Sequence, residues 1–397
     1  MRRDDLAHGV RQQLKRLPEP YSAHYAVVPL PPPEDAIALP AEALRRHQAA
    51  TEALARVDTL ASELKDPYLI SRVLSRREAV SSSSIEGTNS TLDELLTVEE
   101  TDDGGASEAA VQVRDYATTL DRLLPRAREQ RHGIFTTELV QELHRAVMRG
   151  DSHYEDVPGE FRTRVVWIGG RGDIAYSTYN PTPPEDVAAC LAETMAYMRC
   201  DGMQAMTQSV ITRIVIGHAH FEAVHPFRDG NGRVGRLLLP LAMAAEGRTP
   251  LYLSPYIEAH KPAYYESLKA AQQRLEWFAA VGFIADAVTG TVDELMVTRE
   301  ALRQLRDVWQ TRRKFREKSA AARALDVLPH YPVITIKRLA RLLDVTVPAA
   351  SSAIDQLVES GILTERTGYR RNRMFAVNEA LSIINRPFGA APNLPQK

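Results

Sequence analysis

The stretch His225-Pro226-Phe227-Arg228-Asp229-Gly230-Asn231-Gly232-Arg233-Val234-Gly235-Arg236 decides how this chain is read. Pro226 lacks an N–H and clashes with the turn behind it, so it stops a preceding helix. His225 is thereby left at that helix's C-terminal lip. Gly230 and Gly232 let the backbone turn tightly and come close to a ligand. The helix that follows, from about Arg233, opens with unpaired N–H groups and a positive dipole end, a ready site for an anion. Arg233 and Arg236 lie three apart and face the same anion. Asp229 adds a hard oxygen suited to Mg²⁺ shared with phosphates. Together these residues form a set fit for phosphoryl transfer. The stretch is not a Walker A loop, because the Gly-Lys-Ser/Thr ending is missing, and no strand precedes it as a dinucleotide fingerprint requires. A plain helix–loop–helix turn, with His and Asp as caps, would explain any one of these residues but not their coincidence.

Working outward, Val210, Ile211, Ile214, Val215, His218, Phe221 and Val224 mark one face of the helix before the loop. The helix after it runs to Glu246 and ends at Gly247, with Pro240 a candidate kink. Further helices are expected over 261–275 and 277–318, the latter ending in Arg312, Arg313, Lys314, Arg316 and Lys318. Upstream, Pro29, Pro31, Pro32, Pro33 and Pro40 suggest an irregular, extended arm over the first 40 residues. Leu54, Val57, Leu60 and Leu64 are spaced for a helix that Pro67 breaks. Leu69, Ile70, Val73, Leu74 and Val80 mark a second helix, leading into Ser81-Ser82-Ser83-Ser84. Asp102 to Ser107 reads as a loop, and helices resume over Val111 to Leu124 and Thr136 to Met148.

Between Pro158 and Pro184 the character changes. Arg164 to Ile168 is β-prone, Gly169 to Asp173 is a turn and Ile174 to Tyr176 a returning strand, which predicts one hairpin. After residue 319, Ile336, Leu339, Ala340 and Leu343 suit one helix and Ala350, Ile354, Leu357 and Val358 the next. Gly361 to Leu363 and Met374 to Val377 then flank a basic turn. Helix, turn, helix and hairpin is the winged-helix order.

Composition sets the outer limits. A chain of 397 residues, 44% hydrophobic and 25% charged, holds two or three ordinary cores rather than disorder. Forty-nine basic against 51 acidic side chains leave no overall field to attract nucleic acid. The two cysteines, Cys190 and Cys200, lack a zinc spacing and suit a reducing compartment. Neither a secretory apolar run after Met1 nor a membrane-length apolar stretch is visible, so a cytoplasmic location is expected.

The loop matches without a gap the motif His-Pro-Phe-x-(Asp/Glu)-Gly-Asn-Gly-Arg-x-x-Arg, and the chain therefore resembles the Fic family, from about residue 40 to 290. The resemblance implies a mainly α fold with a β-hairpin flap, and transfer of AMP from ATP to a hydroxyl of a target protein. His225 is then the general base, and Asp229 holds Mg²⁺ against the α- and β-phosphates. Gly230, Asn231 and Gly232 cradle those phosphates with Arg233, and Arg236 meets the γ-phosphate. Val234 and Gly235 complete the nucleotide-binding run. Val166 to Gly170 looks like the flap, and Tyr264-Tyr265 with Leu268 looks like the family's segment near adenine, Tyr265 being its ligand residue.

Ser82-Ser83-Ser84-Ile85-Glu86-Gly87 is similar to a second family motif, (Ser/Thr)-x-x-x-Glu-(Gly/Asn), which marks an inhibitory helix. It implies a salt bridge from Glu86 to Arg236 that occupies the γ-phosphate's partner. The same glutamate serves AMP removal in some relatives, so AMP removal or another nucleotidyl or phosphodiester transfer at this site is the alternative. A third reading is a DNA-binding regulator that uses the core as a nucleotide sensor. Arg366, Arg370, Arg371 and Arg373 in the wing favour DNA, whereas Asp355 and Glu359 on the helix before it do not. A target protein (the chain itself included) and a second copy in a homodimer are the other expected partners, and no membrane. His218, His220 and His225 are too divergent around a helix to share one ion. The expected organisation is an arm and inhibitory-helix region over 1–105, a Fic core over 106–290, a linker helix over 291–318 and a winged-helix domain over 319–397.

Overall fold

In the computed structural model the described residues are 1–63, 67–101, 106–367 and 373–395. Leu64, the Asp102–Gly105 part of the expected loop, and the wing residues Arg370 and Arg371 lie outside them. The first forty residues are more ordered than the prolines suggest. A short helix α1 (His8–Gln12) leads into an antiparallel pair, β1 (Leu14–Arg16) and β2 (Tyr25–Val27), with Leu14 opposite Val27. The proline run begins only at Pro29, beyond both strands, and Pro18 and Pro20 fall in the turn between them.

The next helices form one side of the core: α2 (Ala41–Glu63), α3 (Pro67–Ile85), α4 (Leu92–Glu100), α5 (Glu108–Gln130) and α6 (Thr137–Met148). Their starts follow capping chemistry. Pro67 opens α3 where its missing N–H costs nothing. Thr91 and Glu94 form a reciprocal capping box on α4, while Ser107 and Thr136 accept from Ala110 N and Leu139 N at α5 and α6.

The hairpin is present but shifted: β3 (Ile168–Gly169) pairs with β4 (Ser177–Tyr179). Ile174–Tyr176, expected as the returning strand, is instead a 3₁₀ turn, because the Asp173 side chain accepts from Ala175 N and curls the chain there. Helices α7 (Val187–Arg199), α8 (Gln204–Thr207), α9 (Val210–Val224) and α10 (Asn231–Ala245) follow, then α11 (Ser254–Ala259) and α12 (Lys261–Arg274). Both α9 and α10 are buried on nearly every side, and Leu237, Leu238 and Leu241 place α10 at the centre of the main core.

Helix α13 (Trp277–Arg312) packs against α2 and continues unbroken out of the core. It stops six residues short of the expected 318, where Arg313 turns extended and its guanidinium pairs with Glu359. The chain closes with α14 (Ala320–Val327), β5 (Val333–Thr335), α15 (Ile336–Leu343), α16 (Val347–Glu359), β6 (Thr364–Glu365), β7 (Met374–Ala376) and α17 (Asn378–Ile384). The three strands form one sheet in the order β5-β7-β6.

This last unit does not keep its core to itself. Ile334, Leu339, Ile354 and Phe375 share a cluster with Leu305 and Trp309 of α13, Leu92 and Leu96 of α4, and Val73 of α3. Trp309 is fully buried and its indole N–H donates to Glu379 at 2.7 Å. Among the described residues no helix is long and apolar enough to cross a membrane. Because Trp309 ties α13 to the C-terminal unit, Trp309→Ala should cost about 3–5 kcal/mol. Calorimetry should show its C-terminal unit and core melting together at a lower temperature; an unchanged core transition would refute the shared core.

Candidate active site

The loop after α9 is held from below by residues far away in sequence. His225 takes a left-handed conformation (φ 52°), which lets the chain leave the helix at once. Arg162, buried, donates from Nε to the His225 carbonyl at 2.8 Å, and its own N–H meets the Pro226 carbonyl at 3.0 Å. Phe227 is fully buried and stacks on His144 at 3.7 Å. His144 Nδ1 accepts from Gly159 N, so its Nε2–H donates to the Asp229 carbonyl at 3.1 Å. Asn231 turns its amide inward, accepting from Phe227 N and donating to Phe227 O. Gly230 sits at φ 76° and precedes α10. Neither Arg162 nor His144 carries a sequence signal, since each acts through backbone groups that only the fold brings near.

Around this loop lies a cavity of about 600 Å³ lined by Glu86, Glu222, His225, Gly232, Arg236 and Tyr265, with Trp167, Ile168 and Gly169 of the hairpin as one wall. The His225 imidazole has no partner for Nδ1. Burial, helped by the charge of Arg162, pushes its pKa down to about 4, so the ring is a neutral base at physiological pH.

Arg236 is only 1% exposed. Its Nε donates to Ser82 Oγ at 2.9 Å, and Nη2 donates to Ser82 O at 2.8 Å and to Glu86 Oε1 at 2.7 Å. Glu78, Ser82 and Glu86 recur every four residues and so lie along one side of α3 and the turn that follows it. Glu78, fully buried, accepts from Ser254 N, Ser254 Oγ and Tyr116 OH. Burial works against the Glu86 charge, but the Arg236 guanidinium outweighs it and holds the carboxyl below its usual range. A β-carbon on Gly232 would collide with Glu86 Oε1. The carboxylate therefore rests on the first turn of α10, where the free N–H groups attract an anion.

The remaining candidates divide. Asp229 is exposed, and its Oδ1 accepts from Gly230 N at 2.6 Å. Among the described residues no cationic side chain pairs with it, which fits a carboxylate left for a hard cation. Arg233 points away from the cavity, its Nη1 donating to Gln112 Oε1 at 3.3 Å, while Val234 is core and Gly235 is covered by Glu222. Tyr265 is 45% exposed, whereas Tyr264 is buried with its hydroxyl on His218 Nε2 at 2.7 Å. His220 bonds Thr194 and the Leu30 carbonyl, so both histidines are satisfied structurally.

Glu222 went unread in the sequence, although it is the one carboxylate among the apolar residues of α9. His132, Cys200 and Glu246 also converge from distant positions, with ligand atoms within 4.8 Å. Arg213 already pairs with that Glu246 and supplies the cation there. In the C-terminal unit Arg366 pairs with Asp93, and Arg373 with Glu365.

Comparison with known proteins agrees with this geometry. A family model described as Fic/DOC family N-terminal matches residues 44–122, and one described as Fic/DOC family matches residues 134–243. The protein adenylyltransferase fic-1 of Caenorhabditis briggsae is 34% identical over 140 residues, 35% of this chain and 25% of that protein. The protein adenylyltransferase Fic of Drosophila erecta is 28% identical over 194 residues, 48% of this chain and 36% of that protein. The chain thus spans only about a third or less of the length of these relatives. A Fic family protein from Desulfovibrio desulfuricans G20 shares the fold over 87% of this chain and 98% of its own, with a TM-score of 0.54 and 19% identity. The histidine-to-arginine loop thus lies inside the stretch matched by the Fic/DOC family model, and the glutamate helix inside the stretch matched by the Fic/DOC N-terminal model.

Proposed function

We propose that this chain transfers AMP from ATP to a hydroxyl of a target protein and that Glu86 restrains it. One observation carries the reading: an internal carboxylate occupies the anion-binding first turn of α10 and the buried Arg236 at the same time. A site built for an anion and filled by the protein's own side chain is what a restrained phosphate-binding enzyme requires.

In the reaction, neutral His225 takes the proton from the target hydroxyl as its oxygen attacks the α-phosphorus. A new P–O bond to the target forms, the bond to the β-phosphate oxygen breaks, and pyrophosphate leaves. Asp229 would hold Mg²⁺, which neutralises phosphate charge when bound. Arg236, once free of Glu86, orients the terminal phosphate, and the N–H groups at the start of α10 stabilise the negative charge. The hairpin bordering the cavity is suited to align an extended target segment by strand pairing.

AMP removal is the second reading, favoured by one fact: Glu86 lines the same cavity as His225 and could orient a water there. A pre-modified target separates the two. Loss of AMP from it with the wild-type chain but not with Glu86→Gly supports removal.

Intact-mass analysis with MgATP should show Glu86→Gly gaining an increment of one AMP on itself or an added target, and more than the wild type. Equal labelling of both would overturn the restraint. In the Glu86→Gly background, His225→Ala should lower the rate by about 10²–10⁴-fold. A low-pH limb from His225 should lie near pH 4 in kcat/KM, because its pKa is lowered; a limb near 6.5 would refute the buried neutral base.

A further inference from the structure

One buried group of the cavity has no task in that reaction. Glu222 lies one turn before His225 on α9 and is 7% exposed. Its carboxyl is pressed on the backbone of α10, so that a β-carbon on Gly235 would collide with Glu222 Oε1. Glu86 stands in the same relation to Gly232, three residues earlier. Two carboxyls therefore flank successive turns of α10, next to Arg236. Their situations differ in one respect. Glu86 is answered by Arg236, whereas Glu222 Oε1 has no hydrogen-bond partner. Buried polar atoms are nearly always paired, so an unpaired one on a cavity wall points to a ligand atom.

Resting on the nucleotide reading above, we propose that Glu222 is a nucleotide contact, its carboxyl hydrogen-bonding a phosphate oxygen of the bound polyphosphate. Position selects phosphate over nucleoside. Glu222 shares its side of the cavity with Gly232 and Arg236 of α10, where a polyphosphate takes the place of Glu86, while Tyr265 and the hairpin form other walls. An ionised carboxylate would repel that phosphate, so the contact uses the acid form as donor. Burial pushes the Glu222 carboxyl up to about 8; Arg236 opposes this and Glu86 adds to it. The other titratable groups near it are Tyr264 and Tyr265 of α12, His218 of α9, whose ring lies near Gly235, and His225 at the end of α9. The proton that Glu222 keeps at neutral pH is the one it gives to the phosphate.

Titration calorimetry of the Glu86→Gly chain with ADP, inorganic tripolyphosphate and adenosine, at pH 6.5 and 9.5, tests this. A second substitution, Glu222→Gln, supplies an amide donor at both pH values, and Glu222→Leu supplies none. The parent should lose about tenfold more affinity for ADP and tripolyphosphate at pH 9.5 than the glutamine variant does, with adenosine binding indifferent. The leucine variant should bind both phosphates weakly at either pH. The same pH dependence in parent and glutamine variant would overturn the proposal, as would an equal loss for adenosine in the leucine variant. A parent that binds no ADP would remove the nucleotide reading and this inference with it. ADP binding indifferent to Glu222 would remove the inference alone.

Discussion

A guanidinium with almost no exposure to water must be compensated, and Arg236 sets that condition for the rest of the structure. Its placement follows from α10, which is core along most of its length and carries the arginine inward with Leu237 and Leu238. Removing the partner of a buried pair costs about 3 kcal/mol or more, and less where one partner reaches water. Glu86 does reach water, with 29% of its side chain exposed. The arginine is thus fixed and the glutamate replaceable. In the proposed exchange a phosphate would offer the same charge at the same place, while the Ser82 hydroxyl and carbonyl continue to satisfy part of the guanidinium.

The helix that brings Glu86 there is built against local preference. Serines favour caps and turns because their hydroxyls compete with the helix ladder. Ser81, Ser82 and Ser83 are nonetheless buried within α3. Ser82 shows why: its hydroxyl and carbonyl are both used by Arg236, and its small side chain lets α3 approach α10. Glu78 anchors the same side at Ser254 and Tyr116, and Lys261 Nζ donates to the Ile85 carbonyl at 2.6 Å at the helix's far end. The position of Glu86 therefore depends on contacts along the whole helix, beyond the single ion pair.

Rigidity of the loop has another origin. Arg162, His144 and Asn231 spend their polar groups on backbone atoms of the turn, which fixes its path from beneath. The C-terminal unit contributes at a distance, since its cluster includes Val73 of α3 and two leucines of α4. Among the described residues, several of its basic side chains are occupied: Arg366 and Arg373 face carboxylates, and Arg338 pairs with Glu100 of α4.

By itself the sequence determined the elements whose cause is local. Proline and glycine punctuation bounded the loop between α9 and α10, apolar periodicity marked the helices, and the spacing of His225, Asp229 and Arg236 carried the chemistry proposed for the site. The Glu86 pairing was legible only through the resemblance of Ser82–Gly87 to a known motif. Tertiary structure alone decided the rest. It put Glu222 on the cavity wall, bent Ile174–Tyr176 away from a strand, ordered the arm before Pro29 and turned Arg233 aside. Each of these depends on a partner remote along the chain or on a side chain overriding its own backbone preference, and no periodicity records which surfaces folding will press together.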